Sequence, residues 1–243
     1  MSPTQKHVVF DIVGTLVSYD RLFNAIDTRL GDRLRAECIK PSLLGYTWIE
    51  VAEREYTYLS LSGVYKPFAE VFEAIWYRML WMAGISKPRE FATADDLAFI
   101  MTEYQQLEMR PGAAECVQKL RDGGFTVWAF TAADIKRVSG YFAQAGIELP
   151  SENLLSCDTE GVGKPTLDAY VPLFNKLKQS SDQVWFAAGH QWDVSAASRV
   201  GFKSAYCTIW EQEPLTNLFG EMDVTGVTLP EMADKVVAAS STS

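Results

Sequence analysis

The stretch His7-Val8-Val9-Phe10-Asp11-Ile12-Val13-Gly14-Thr15-Leu16-Val17 decides the fold. Residues 7–10 form a short, largely apolar run that ends on an acid, and a glycine–threonine turn follows. Such a run reads as a buried strand bounded by a turn. A carboxylate at the carboxyl end of a buried parallel strand faces the crevice in which open α/β sheets bind ligands. Gly14 lets the chain turn sharply after the strand, and Thr15 supplies a hydroxyl for the loop. Asp11 therefore reads as a nucleophile or a metal ligand. Turn capping is the alternative that the local pattern leaves open.

Beyond Val17 the apolar spacing becomes helical and stays so to about residue 108. Breaks fall at Lys40-Pro41, Ser62-Gly63, Lys66-Pro67 and Lys87-Pro88, and Thr93 followed by Asp95-Asp96 reads as a helix start. Strand–helix alternation then resumes. Strands are predicted at 125–130, 154–156, 184–188 and 203–207, with helices from Pro111-Gly112 to about 121 and over 135–145, 166–178 and 194–200. Repeated βα units of this length predict an α/β fold, a doubly wound parallel sheet. The domains expected are a Rossmann-like core of residues 1–17 and 109–243 and an inserted helical cap of residues 18–108.

The 243-residue chain is 48% hydrophobic, enough for a sizeable core, and carries a net charge of −9. That balance argues against nucleic acid or an anionic membrane surface as a partner, since both need basic patches. The four cysteines (Cys38, Cys116, Cys157, Cys207) form no C-x-x-C pair. No leader and no membrane-spanning apolar run is read in the sequence, so a cytoplasmic protein of a reducing compartment is expected.

The alternation brings four polar groups to strand ends. Asp11 follows the first strand and Thr131 the second, Lys164 lies in Glu160-Gly161-Val162-Gly163-Lys164-Pro165, and Asp193 closes Ala188-Gly189-His190-Gln191-Trp192-Asp193. Each alone has a plain alternative: Thr131 and Asp193 as helix N-caps, Lys164 as a solvated loop lysine, His190 as a packed ring. Their joint order at βα spacing favours one shared crevice.

On these residues the chain resembles the haloacid dehalogenase superfamily, and most of all its type II (L-2-haloacid) branch. The resemblance rests on Asp-x-x-Gly-Thr-Leu, the hydroxyl after the second strand, Gly-Lys-Pro with the later Tyr170, Ala-Ala-Gly-His-Gln-Trp-Asp, and the helical insertion. It implies that Asp11 attacks carbon and forms an ester. It implies too that Lys164 keeps that carboxylate ionised, and that Thr131 hydrogen-bonds Asp11 or the substrate. Asp193 would orient Lys164 and help place the hydrolytic water. Phosphatases of the superfamily carry a second acid two positions after the nucleophile, where this chain has Val13, which transfers no proton. A halide leaves without a proton, so a dehalogenase that needs neither metal nor other cofactor is expected.

The chain also departs from the branch. Glu50 stands where the branch has a substrate-binding arginine, with Arg54 one helical turn on. Ala132 replaces an asparagine, and His190 stands in the fourth motif, where it reads as a general base. Val13, Glu50, Arg54, Ala132, Tyr170 and Trp192 are the candidate substrate contacts. Two other readings stand beside dehalogenation: a relative acting on a larger, aromatic or secondary metabolite, and a catalytically idle binding protein. The resemblance implies a small-molecule substrate and a homodimer through cap helices.

Overall fold

The computed structural model describes residues 5–181 and 183–241. The chain divides into two compact units, residues 1–18 with 109–243, and residues 19–108, so the first crossing falls one residue beyond the expected boundary.

The first unit is built on a six-stranded parallel sheet ordered β5-β4-β1-β6-β7-β8. The strands are β1 (Lys6–Phe10), β4 (Phe125–Thr131), β5 (Leu154–Ser156), β6 (Gln183–Ala188), β7 (Lys203–Cys207) and β8 (Val224–Gly226); two short strands, β2 (Val17–Ser18) and β3 (Glu108–Met109), flank the insertion. Val8, Val9 and Phe10 are fully buried, as a central strand covered on both faces must be. Helix α7 (Ala113–Asp122) packs on β4 and against α13 (Leu229–Ala239), while α10 (Leu167–Lys178) and α11 (Gln191–Val200) pack together along β6. From β1 the chain moves outward to β4 and β5, then returns beside β1 as β6 and moves outward the other way. The order therefore reverses between β1 and β6, the position at which doubly wound sheets open a crevice. The doubly wound parallel sheet that the sequence predicts is the fold observed.

Two predicted features differ. Helix α11 begins at Gln191, three residues before the expected start, and its N-cap is His190. Asp193 is thus not the N-cap but lies in the first turn. The short edge strand β8 was not predicted; its pattern is only three residues long.

The second unit is helical: α1 (Asp20–Ala36), α2 (Pro41–Leu61), α3 (Phe68–Ala74), α4 (Trp76–Met82), α5 (Pro88–Phe91) and α6 (Ala94–Tyr104). Pro41 and Pro88 open helices, where a missing N–H costs nothing. Thr93 caps α6 reciprocally: its Oγ1 accepts from Asp96 N at 3.2 Å, and Asp96 Oδ2 accepts from Thr93 N at 3.0 Å. The core is aromatic. Trp48 stacks on Phe72 at 3.9 Å and meets Trp76 at 4.3 Å, and its Nε1 donates to the Phe72 carbonyl at 2.7 Å. Removing such a buried ring costs about 3–5 kcal/mol. Tyr58 and Trp81 are exposed. Among the described residues no helix is long and apolar enough to cross a membrane.

Candidate active site

The turn after β1 is the starting point. Asp11 N donates to the Ala187 carbonyl at 3.0 Å, continuing the β1–β6 pairing one residue past the strand. Gly14 then adopts φ +93°, a left-handed conformation natural to glycine. Thr15 N reaches back to the Ile12 carbonyl at 3.2 Å, and Gly14 N to that of Val17 at 2.9 Å. This tight loop folds the Thr15 side chain back over Asp11.

Thr15 Oγ1 lies 2.6 Å from Asp11 Oδ2 and accepts the Gly189 N–H at 2.7 Å. The backbone N–H can only donate, so the single hydroxyl proton of Thr15 points at the carboxylate. Gly189 makes this approach possible. A Cβ there would sit 3.1 Å from the Gly14 carbonyl oxygen and 3.4 Å from Trp210 Cβ.

Lys164 takes the other carboxylate oxygen. Its Nζ donates to Asp11 Oδ1 at 3.1 Å, to the Phe130 carbonyl at 2.9 Å and to Asp193 Oδ2 at 2.8 Å. These three bonds engage all three protons of a buried ammonium. Nζ also lies 4.9 Å and 5.2 Å from the ring centres of Phe130 and Phe186. Asp193 is fully buried, and its Oδ1 accepts from Tyr170 OH at 2.5 Å. His190 Nδ1 lies 3.5 Å from Asp11 Oδ2, and the His190 ring packs between Trp192 (5.5 Å) and Trp210 (6.3 Å).

The electrostatics follow from burial and charge count. Burial pushes the Asp11 carboxyl up, but the Lys164 charge, helped by His190 and Thr15, outweighs it and holds Asp11 well below the usual carboxylate range. Burial likewise opposes the Lys164 charge, and the two carboxylates overcome it and raise its pKa. Asp193 is raised, chiefly by its complete burial, and Tyr170 is raised for the same reason beside that acid. Asp11 thus stays ionised and aimed, while Lys164 is too fully engaged to serve as a proton donor.

The structure brings together Asp11, Lys164, Asp193 and His190, with Tyr170 behind them. One expected detail changes. The hydroxyl on Asp11 is that of Thr15; Thr131 is buried at the end of β4, and its Oγ1 accepts from Ala133 N at 3.1 Å. Tyr170 is 1% exposed, packs between Phe130 and Phe186, and bonds Asp193. Asp193 is 0% exposed, with one oxygen on Lys164 and the other on Tyr170. Val13 and Ala132 are half-buried on the loops after β1 and β4, and Trp192 is half-buried in the first turn of α11. In the helical unit, Glu50 is exposed on α2, and Arg54 pairs with Glu55 at 3.2 Å. Sequence reasoning missed the Phe130 carbonyl, which carries no side-chain signal.

Known proteins resemble this chain in sequence and fold. The haloacid dehalogenase-like hydrolase family model matches residues 5–201. The chain is 26% identical over 211 residues to the (S)-2-haloacid dehalogenase of Xanthobacter autotrophicus, covering 86% of this chain and 78% of that protein. It is 25% identical over 199 residues to (S)-2-haloacid dehalogenase 2 of a Pseudomonas species (strain CBS-3), covering 82% and 81%. Among solved structures, the L-2-haloacid dehalogenase RSc1362 superposes with a TM-score of 0.80 at 18% identity, covering 96% of this chain and 99% of that one. The Xanthobacter autotrophicus enzyme with chloropropionic acid covalently bound superposes with a TM-score of 0.72 at 21% identity, covering 96% and 98%. The strand-end aspartate, its buried lysine and the match over residues 5–201 together identify the chain as a member of the haloacid dehalogenase-like hydrolase family.

Proposed function

We propose that the protein hydrolyses a carbon–halogen bond of a 2-halo carboxylic acid through an ester on Asp11. In the first step an Asp11 oxygen bonds the substrate's C2 as the C–halogen bond breaks, and the halide leaves with the bonding pair. In the second step water adds to Cγ of the Asp11 ester, the bond from Cγ to the bridging oxygen breaks, and that oxygen leaves in the 2-hydroxy acid as a proton and the free carboxylate are released. The observation that carries this reading is a buried carboxylate kept ionised by an ammonium whose three protons are all engaged. Such a group is built to attack, not to exchange protons.

The remaining groups divide by reach. Thr15 and Lys164 hold the two oxygens of Asp11 apart and aimed. Asp193 and, through it, Tyr170 position Lys164. His190, 3.5 Å from Asp11 Oδ2, is placed to accept the proton of water attacking the ester. Val13 offers no proton to a leaving group, which suits a halide and no added metal. Ala132 on the loop after β4, Thr131 at the end of that strand and Trp192 in the first turn of α11 are candidate substrate contacts, as are Glu50 and Arg54 in the cap. Free thiols at Cys38, Cys116, Cys157 and Cys207 suit a reducing cytoplasm. Exposed Leu43, Tyr58 and Leu61 on α2, with Trp81 and Met82 on α4, suit a homodimer through the cap.

The test is halide release from L-2-chloropropionate without added metal. The reading expects release by the wild type and none by Asp11→Asn. A second reading, favoured by Glu50 and Ala132, is the same chemistry on a larger substrate. It expects no halide from the small acid, but an Asp11 ester with a bulkier one. Absence of any adduct would leave the idle binding protein.

A further inference from the structure

One residue outside the reacting cluster touches the loops on both sides of the crevice. Arg110 follows β3 and lies 95 residues from Thr15 in sequence. Its Nε donates to the Thr15 carbonyl at 3.1 Å and its Nη2 to the Gly14 carbonyl at 3.1 Å. Its backbone N–H donates to the Leu16 carbonyl at 2.7 Å. Three consecutive carbonyls of the nucleophile loop are thus held by one side chain and its own backbone. The planar guanidinium fork spans two of them at once, which a lysine ammonium at one point does not reproduce.

The same guanidinium lies 5.8 Å from the Trp210 ring centre. Trp210 in turn meets the His190 ring edge-on at 6.3 Å, and its Cβ closes over Gly189. Arg110 is therefore linked to both groups that address the same carboxylate oxygen. Thr15 Oγ1 is 2.6 Å from Asp11 Oδ2, and His190 Nδ1 is 3.5 Å from it. Lys164 addresses the other oxygen, Oδ1.

We propose that Arg110 is a positioning residue that fixes the Thr15 loop directly and His190 through Trp210, so that both converge on Oδ2 of Asp11. This inference rests on the reading of Asp11 as the nucleophile, and its test separates the two. The chain has two histidines, His7 and His190. A side-chain imidazole NMR spectrum therefore has two assignable sets of signals, with Asp11→Asn identifying the one beside the carboxylate. Arg110→Met keeps the aliphatic stem and removes the fork. It is expected to move the His190 resonances while His7, at the far end of β1, stays in place and reports an intact sheet. Arg110→Lys is expected to shift His190 in the same direction. This arm needs no substrate, so it stands if the dehalogenase reading fails.

With an active substrate, Arg110→Met is expected to lower kcat by ~10–100-fold with KM changed by less than ~3-fold, the signature of a misaimed reacting group. Added methylguanidinium is expected to restore part of that loss. Unmoved His190 signals in both variants would overturn the proposal. So would a kcat loss below ~3-fold, or a loss that falls on KM alone.

Discussion

Replacing Thr15 by valine removes the one hydroxyl aimed at the nucleophile while keeping its volume. Two bonds are lost. The first is a 2.6 Å bond from hydroxyl to charged carboxylate, and bonds of that class contribute about 1.5–3 kcal/mol. The second is the 2.7 Å bond from Gly189 N, whose loss leaves a buried donor unmatched at a cost of about 1–3 kcal/mol. Together they place the destabilisation at about 2.5–6 kcal/mol, falling to about 1.5–3 kcal/mol if the loop shifts to give Gly189 another acceptor. Asp11 also loses a group that holds its pKa down, so its carboxyl moves toward the ordinary range. An oxygen free to swing costs ~10²-fold in rate. Thr15→Ser keeps the hydroxyl and is the control. Urea denaturation followed by tryptophan fluorescence gives the stability difference, and halide release gives kcat. A valine variant within about 0.5 kcal/mol of the serine variant, with unchanged kcat, would refute the claim that Thr15 bridges Gly189 and Asp11.

Other consequences are open to the same assays. Tyr170→Phe is expected to lower kcat several-fold and leave KM alone, because the tyrosine acts on Asp193 and not on substrate; a rise in KM without a fall in kcat would contradict that. Lys164→Met strands two buried carboxylates, so the variant is expected to lose ester formation and to take up a proton near neutral pH, visible as a carboxyl titration in carbon NMR. His7 gives a pH dependence of stability. Trp128 Nε1 donates to its Nδ1 at 3.2 Å, so Nε2 carries the proton toward Ser180 Oγ at 3.0 Å and the ring is neutral. Burial lowers its pKa in the folded protein, so the unfolded chain binds the extra proton first. Stability is therefore expected to fall as pH drops below about 6.5, and His7→Gln is expected to flatten that slope in thermal melts.

Much of this was legible in the sequence because the βα alternation dictates where strand ends fall. Asp11, Lys164 and Asp193 lie at such ends, and the fold brings them within hydrogen-bond reach. The sequence could not tell which of two hydroxyls would reach the carboxylate. Thr131 and Thr15 both follow strands, but Gly14 at φ +93° folds Thr15 back, while Thr131 is taken by its own loop at Ala133. Tyr170 entered through the resemblance as a candidate substrate contact; its burial and its bond to Asp193 appear only when α10 packs on β6. The start of α11 was placed late because His190 makes no side-chain cap bond to announce it. Arg110 carries no motif, and its partners lie across the insertion.

The central claim is that an Asp11 oxygen becomes the bridge to substrate carbon. A single turnover in ¹⁸O-labelled water, with enzyme in excess over L-2-chloropropionate, tests it directly. Unlabelled oxygen is expected in the first 2-hydroxy acid formed, and ¹⁸O in the peptide that carries Asp11. Label in that first product, with an unlabelled peptide, would contradict it.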